Sequence, residues 1–342
     1  MKNRRITACC AVALLLTALL WGCDDKAEKP PAPELQKPQI PVLLYRQVDT
    51  YISMVKQAVT ANMPEMYEVT VFDARSDQLV QDEQLEQALQ GNMVAIAVNL
   101  VDLQAASRVM DKLKKAGIPV VFFNREPALN VLKSYDKARF VGTTIADAGI
   151  MQGDLIARLW KAHPEYDRNK DGKCQYIMLQ GNVDNPEALA RTEHSVARAR
   201  ELGVQLEQLG QTYVCNWDRE MARQSMEFAY SQYADDMELV ISNNDSMALG
   251  AIQTLRLKGF NLGGDSSGSF IPVVGVDATP DAMQAIREGS MSATVKQDAE
   301  AMGRVIARML CNMAEGKDYL EGTGQQYDKS AVAIRIPYAP CE

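Results

Sequence analysis

At 342 residues, 47% apolar and 6% aromatic, the chain is long enough to bury two sizeable cores. Its 36 basic side chains against 44 acidic ones give a net charge of −8, which argues against a phosphate-binding footprint and so against nucleic acid as a partner.

The first 22 residues read as a signal peptide: a basic head (Lys2, Arg4, Arg5), then an apolar run from Ile6 to Trp21, shorter than a comfortable membrane span. Gly22-Cys23 resembles a bacterial lipobox, with Cys23 the expected lipidated N-terminus, although Trp21 is an unusual residue there. Residues 23–39, charged and proline-rich, are expected to be a solvated tether. The location implied is outside the cytoplasm, lipid-anchored at a membrane. Cys9, Cys10 and Cys23 belong to this leader; Cys174, Cys215, Cys311 and Cys341 remain. Export permits disulfides among them, in any of three pairings, with Cys311–Cys341 favoured because it would tie the C-terminus to the last helix.

From residue 41 short apolar runs alternate with amphipathic ones. Strands are expected at 41–45, 68–72, 94–98 and 118–123, with helices over 49–61, up to 88, and over 104–116. After a looser segment to 141 the rhythm restarts, with strands at 176–179, 204–209, 239–241 and 272–276 and helices over 186–202, 218–234 and 245–258. Continuous apolar strands separated by helices predict two doubly wound α/β lobes with parallel sheets. Ligands of such sheets lie beyond the carboxyl ends of the strands, so two lobes face one cleft.

That rule selects Asp49, Tyr51, Asn124, Asn185, Glu187, Arg191, Trp217, Asn244 and Asp277, each just past a strand. Taken singly, any of these could be an N-cap or a turn residue. Together, carboxylates, amides and one arginine flanked by flat aromatics suit a neutral polyhydroxylated ligand, whose hydroxyls both donate and accept.

Residues 167–175 form a second pattern. Asp167, Asn169, Asp171 and Gln175 place oxygens at positions one, three, five and nine of a loop with Gly172 at six, as at the front of an EF-hand. Position twelve is Met178, not glutamate, and the following residues read as a buried strand. A carboxylate from elsewhere would have to close a calcium site; an Asp/Asn/Gly turn without metal is the alternative.

Several long stretches resemble the periplasmic galactose/glucose-binding protein family: Val120 to Pro127, Ser134 to Ala138, Gln152 to Ala157, the 167–175 loop, Asn243 to Ala248, and Val274 to Ala278. The resemblance spans about residues 41–338. It implies a type I periplasmic binding fold whose lobes share a multi-strand hinge near 141, near 297 and at 322–326. The N-terminal lobe would comprise 40–141 plus 298–325, and the C-terminal lobe 142–297 plus 326–342. It implies that Asp49, Asn124, Arg191, Asn244 and Asp277 bind sugar hydroxyls, and that Tyr51 and Trp217 stack on the two ring faces. A family histidine is Asn185 here, an aspartate is Glu187, and a cleft asparagine is Gln297. It also implies structural calcium held by Asp167, Asn169, Asp171, Gln175, the Lys173 carbonyl and Glu238.

The function implied is capture of a monosaccharide, D-galactose or D-glucose foremost, by a non-enzymatic, monomeric receptor that delivers it to an ABC-type permease. A sugar sensor feeding a chemoreceptor or histidine kinase is the alternative. A lactose-repressor-type regulator lacks its DNA-binding helices here. A glycosidase would need a carboxylate pair at fixed separation. His163 and His194, the only two histidines, read as solvated surface.

Overall fold

In the computed structural model, which describes residues 37–264 and 269–342, the alternation of apolar runs and helices builds two parallel sheets. The leader, Cys23 and the first part of the tether lie outside the described residues.

The first segment contains β1 (Val42–Leu44), α1 (Thr50–Ala61), β2 (Val71–Asp73), α2 (Gln78–Leu89), β3 (Ile96–Val98), α3 (Ala106–Ala116), β4 (Val120–Phe123), α4 (Leu129–Leu132) and β5 (Ala138–Gly142). The second contains α5 (Asp147–Ala162), β6 (Cys174–Gln180), α6 (Pro186–Glu201), β7 (Leu206–Gln208), β8 (Tyr213–Val214), α7 (Arg219–Tyr233), β9 (Leu239–Ser242), α8 (Asp245–Leu257), β10 (Val273–Asp277), α9 (Pro280–Arg287) and β11 (Ala293–Gln297). The chain then returns through α10 (Ala299–Ala314) and ends with β12 (Ala333–Arg335) and β13 (Tyr338–Cys341).

The first sheet runs β12-β5-β4-β3-β1-β2, and the second β13-β11-β10-β9-β6-β7 with β8 also on β6. Every pairing is parallel except β11 with β13. Helices cover both faces, which is why these strands are apolar without alternation. On one face of the first sheet Val55 and Val59 of α1 pack with Met302, Ile306 and Met309 of α10. Gly303 makes this closeness possible, because a Cβ there would stand 2.3 Å from Ala58 Cβ. Leu85, Met110 and Leu113 cover the other face.

The chain crosses between sheets at 143–146, at 298 and at 336–337. The third crossing corrects the expectation of 322–326. Residues 333–335 are a strand of the first sheet, with Ala333 opposite Phe140, so the first lobe keeps the chain to Arg335. This strand, β5 and β11 mix charged or small residues with apolar ones, and a pattern of local hydrophobicity passes over them. Arg335 pins the crossings: its guanidinium grips both oxygens of Glu126 at 2.6 Å, donates to Asp328 at 2.8 Å, and reaches the Thr143 carbonyl at 3.0 Å.

The expected disulfide is also corrected. Among the described residues Cys174, Cys215, Cys311 and Cys341 are not joined to one another and stand as thiols. Cys311 packs in the first-lobe core on α10, whereas Cys341 lies on β13 opposite Thr294 in the second sheet.

Candidate functional site

Each site residue owes its position to a strand that stops and a helix that starts. Asp49, Asn185 and Asn244 are the N-caps of α1, α6 and α8, accepting from Ile52 N (3.0 Å), Ala188 N (3.0 Å) and Met247 N (2.9 Å). The capping role and an exposed-to-ligand position coexist: one side-chain oxygen closes the helix and the remaining atoms stay available.

All ten residues expected at the sugar site, Gln297 included, line one cavity between the lobes. Asp49, Tyr51 and Asn124 come from the first lobe, and Asn185, Glu187, Arg191, Trp217, Asn244, Asp277 and Gln297 from the second. The free space among these side chains is about 30 Å³, room for one or two waters and too little for a six-membered ring as they stand.

Arg191 is the electrostatic centre. Its guanidinium donates to Asn243 O (2.8 Å), Gln297 Oε1 (2.9 Å) and the Tyr338 hydroxyl (3.2 Å), and stands 3.8 Å from Glu187 and 3.9 Å from Asp277. Burial works against its charge, but Tyr338, Glu187 and Asp277 outweigh it and hold the cation firmly. Burial also pushes the Glu187 and Asp277 carboxyls up, with Arg191 pulling the other way. Asp277 is further raised by Asp245, a buried carboxylate that accepts from Thr294 Oγ1 (2.6 Å) and Thr279 N (2.7 Å). Two buried donors on residues lining the cavity, Arg191 Nε and Gln297 Nε2, have no hydrogen-bond partner among the described residues. An unpaired buried donor costs about 1–3 kcal/mol, so both favour a ligand rich in oxygen acceptors.

Trp217 and the residue before it, Asn216, take left-handed backbone conformations (φ 63° and 49°), which carry the indole against Gly181. A Cβ at Gly181 would lie 2.3 Å from the ring. Tyr51 is buried on the opposite lobe, its hydroxyl donating to Met302 Sδ at 3.5 Å.

Three lining residues escaped sequence reasoning: Tyr45, Ile52 and Arg125. Tyr45 directly follows β1 and reads in the sequence as the last residue of that apolar run. The Arg125 guanidinium carbon stands over its ring, 3.7 Å from the centroid, and the guanidinium donates to the Val101 carbonyl at 2.7 Å. Asn99, fully buried, donates to Asn124 Oδ1 at 3.3 Å and fixes that amide. Only the bare position after a strand could have signalled Asn99 or Arg125.

The expected calcium site is corrected. The loop oxygens turn onto the loop's own backbone: Asp167 Oδ1 and Asn169 Oδ1 both accept from Asp171 N (3.1 and 2.9 Å), and Asp167 Oδ2 from Gly172 N (3.0 Å). Asp171 accepts from Lys173 N and Gln175 Nε2, both at 2.8 Å. Glu238 does reach this loop, but its oxygens accept from Arg168 N (2.5 Å), Asn169 N (3.3 Å) and Gln175 N (3.2 Å). The Lys173 ammonium pairs with Glu207 at 2.8 Å. Among the described residues no group of three or more His, Cys, Asp or Glu side chains is placed to hold a metal. The spacing serves a hydrogen-bonded turn between α5 and β6.

Residues 40–318 match the family model of the periplasmic binding protein domain. The chain is 36% identical over 305 residues to a D-galactose/methyl-galactoside binding periplasmic protein of Haemophilus influenzae, covering 88% of each chain. It is 32% identical over 241 residues to a putative rhizopine-binding protein of Rhizobium meliloti, covering 69% of this chain and 71% of that one. Among solved structures, an ABC transporter solute-binding protein of Bacillus halodurans with bound myo-inositol superposes with a TM-score of 0.71 at 27% identity, covering 89% of this chain and 94% of the other.

Proposed function

Because the chain belongs to the periplasmic binding protein family, we propose that it is an exported receptor that closes on one monosaccharide and presents it to an ABC-type permease. D-Galactose and D-glucose are the first candidates. The name of the Haemophilus influenzae relative supports this.

The observation that carries the proposal is the cavity itself. Three carboxylates (Asp49, Glu187, Asp277) and three amides (Asn124, Asn185, Asn244) accept or exchange hydrogen bonds with hydroxyls, while Arg191 Nε and Gln297 Nε2 wait as donors. Tyr51 and Trp217 are assigned to the two faces of the ring. Ligand contacts to both lobes exist only in the closed form, so binding shifts the population toward closure. The fold and family are those of binding proteins, not enzymes, and no chemical step is assigned. We assign Cys23 as the lipidated anchor; a Cys23→Ala variant released in soluble form supports it, and retention at the membrane defeats it.

Calorimetry with a panel of hexoses, pentoses and inositols tests the assignment. Saturable heat with a hexose, lost in Asp277→Ala, is the expected result. No heat with any member sinks it.

A further inference from the structure

We propose that the Tyr338 hydroxyl is a positioning group that couples Arg191 to the segments crossing between the lobes, so that one chain of hydrogen bonds holds both the binding pose of the guanidinium and the closed arrangement of the lobes. The proposal rests on the sugar-binding reading above and adds a residue that serves the site without lining it.

Residues flanking the three crossings meet at one guanidinium. Gln297 ends β11 just before the crossing at 298, and Tyr338 opens β13 just after the crossing at 336–337. The two are direct cross-strand partners in the antiparallel β11–β13 pair. Both accept from the same nitrogen, Arg191 Nη2, at 2.9 and 3.2 Å. The first crossing joins through Tyr338, whose hydroxyl lies 2.9 Å from Oγ1 of Thr143, the residue after β5. The Thr143 carbonyl accepts from Arg335 at 3.0 Å, and Ile336 N donates to the Gly142 carbonyl at 2.7 Å. The first and third crossings are therefore laced together on both sides.

The protons of this chain run one way. A guanidinium only donates, so the Tyr338 oxygen accepts from Arg191 and its own proton goes to Thr143 Oγ1. The Thr143 proton then faces Glu187 Oε1 at 3.4 Å, and Glu187 stands 3.8 Å from Arg191. The chain thus starts and ends on two residues of the cavity wall. Burial pushes the Tyr338 pKa up to about 12, which keeps the phenolic proton in place. Arg191, Thr143, Gln297 and Tyr338 are all buried, so a missing member leaves its partner unpaired. Rotation of one lobe on the other turns the backbone at the crossings and moves Thr143 against Tyr338, disturbing the acceptors of Arg191. By linkage, a ligand that fixes Arg191 fixes the crossings in return.

Tyr338→Phe and Thr143→Val each delete one hydroxyl with little change in volume, and Thr143→Ser keeps the hydroxyl. Calorimetry with the sugar panel and melting temperatures are read on the full chain. Each deletion should weaken the sugar that the wild type binds by about ten-fold, and the double variant should fall less than about two-fold below the weaker single one. Thr143→Ser should stay within about two-fold of the wild type. A lower melting temperature with unchanged affinity makes the hydroxyls structural only and overturns the coupling. Losses that add in full in the double variant overturn it too, as does Thr143→Ser binding no better than Thr143→Val. Heat from no sugar defeats the sugar reading itself. The coupling is then decided by small-angle scattering from the sugar-free chain, where both deletions should enlarge the radius of gyration; equal values in wild type and both variants overturn it.

Discussion

The Tyr45 hydroxyl donates to Asp49 Oδ2 at 2.5 Å while Ile52 N donates to Asp49 Oδ1 at 3.0 Å, so this carboxylate is aimed from within its own lobe before any ligand arrives. Burial and the adjacent Asp49 charge raise the Tyr45 pKa, keeping the phenol a donor throughout the physiological range. The Arg125 guanidinium over the ring holds the phenol in place. Tyr45→Phe keeps the ring and that contact but frees one Asp49 oxygen. Sugar affinity should fall by roughly ten-fold, the equivalent of about 1.4 kcal/mol, with little change in melting temperature. In an Asp49→Asn background the same substitution should add almost nothing. A full additional loss there would show that Tyr45 acts elsewhere.

Gly181 is the floor beneath Trp217. Gly181→Ala puts a methyl where the indole lies, 2.3 Å from ring carbons, and must tilt or lift the ring. Weaker sugar binding with a retained fold is the expected outcome. Ligand titrations followed by tryptophan fluorescence should lose amplitude as well as affinity. Unchanged affinity would mean that Trp217 does not cover the ring.

The Asp245–Asp277 pair sets a pH dependence. Burial raises both carboxyls above the ordinary carboxylate range of about 4, so the folded protein holds protons that the unfolded chain releases. Such groups stabilise fully below the unfolded pKa, and that contribution is lost as pH rises through the raised folded values. The ligand-free protein should therefore melt at a higher temperature at pH 5 than at pH 8. Binding runs the other way. Sugar hydroxyls donated to Asp277 favour its charged form, so affinity should increase over the same rise in pH. Arg191, Glu187 and Asp49 face the same carboxylate and set its midpoint. Asp277→Asn should flatten the affinity profile; a profile that is flat in the wild type would contradict the assignment.

The 167–175 loop is closed by its own hydrogen bonds and by Glu238. Chelator should leave the melting temperature unchanged, and added calcium should not raise it. Glu238→Gln, which replaces one accepting oxygen with a donor against three backbone N–H groups, should lower stability by about 1–3 kcal/mol. A calcium-dependent rise in melting temperature would reverse this conclusion.

Local order carried much of the molecule. Apolar runs of four or five residues and the helices between them are short-range patterns, so the αβ alternation and two parallel sheets could be read directly. In a parallel sheet every strand ends on the same edge, so residues picked simply for following a strand, such as Asp49, Asn124, Asn244 and Asp277, lie together on one cavity. Tertiary structure alone decided what depends on distant partners. Tyr45 looks like any strand residue until Asp49 and Arg125 are packed beside it. Strand β12 is too weakly apolar to announce itself and exists because β5 offers an open edge. The oxygens of the 167–175 loop have metal-like spacing, but spacing does not say whether they face an ion or the loop's own amides. That choice belongs to the folded backbone, which turned the amides inward.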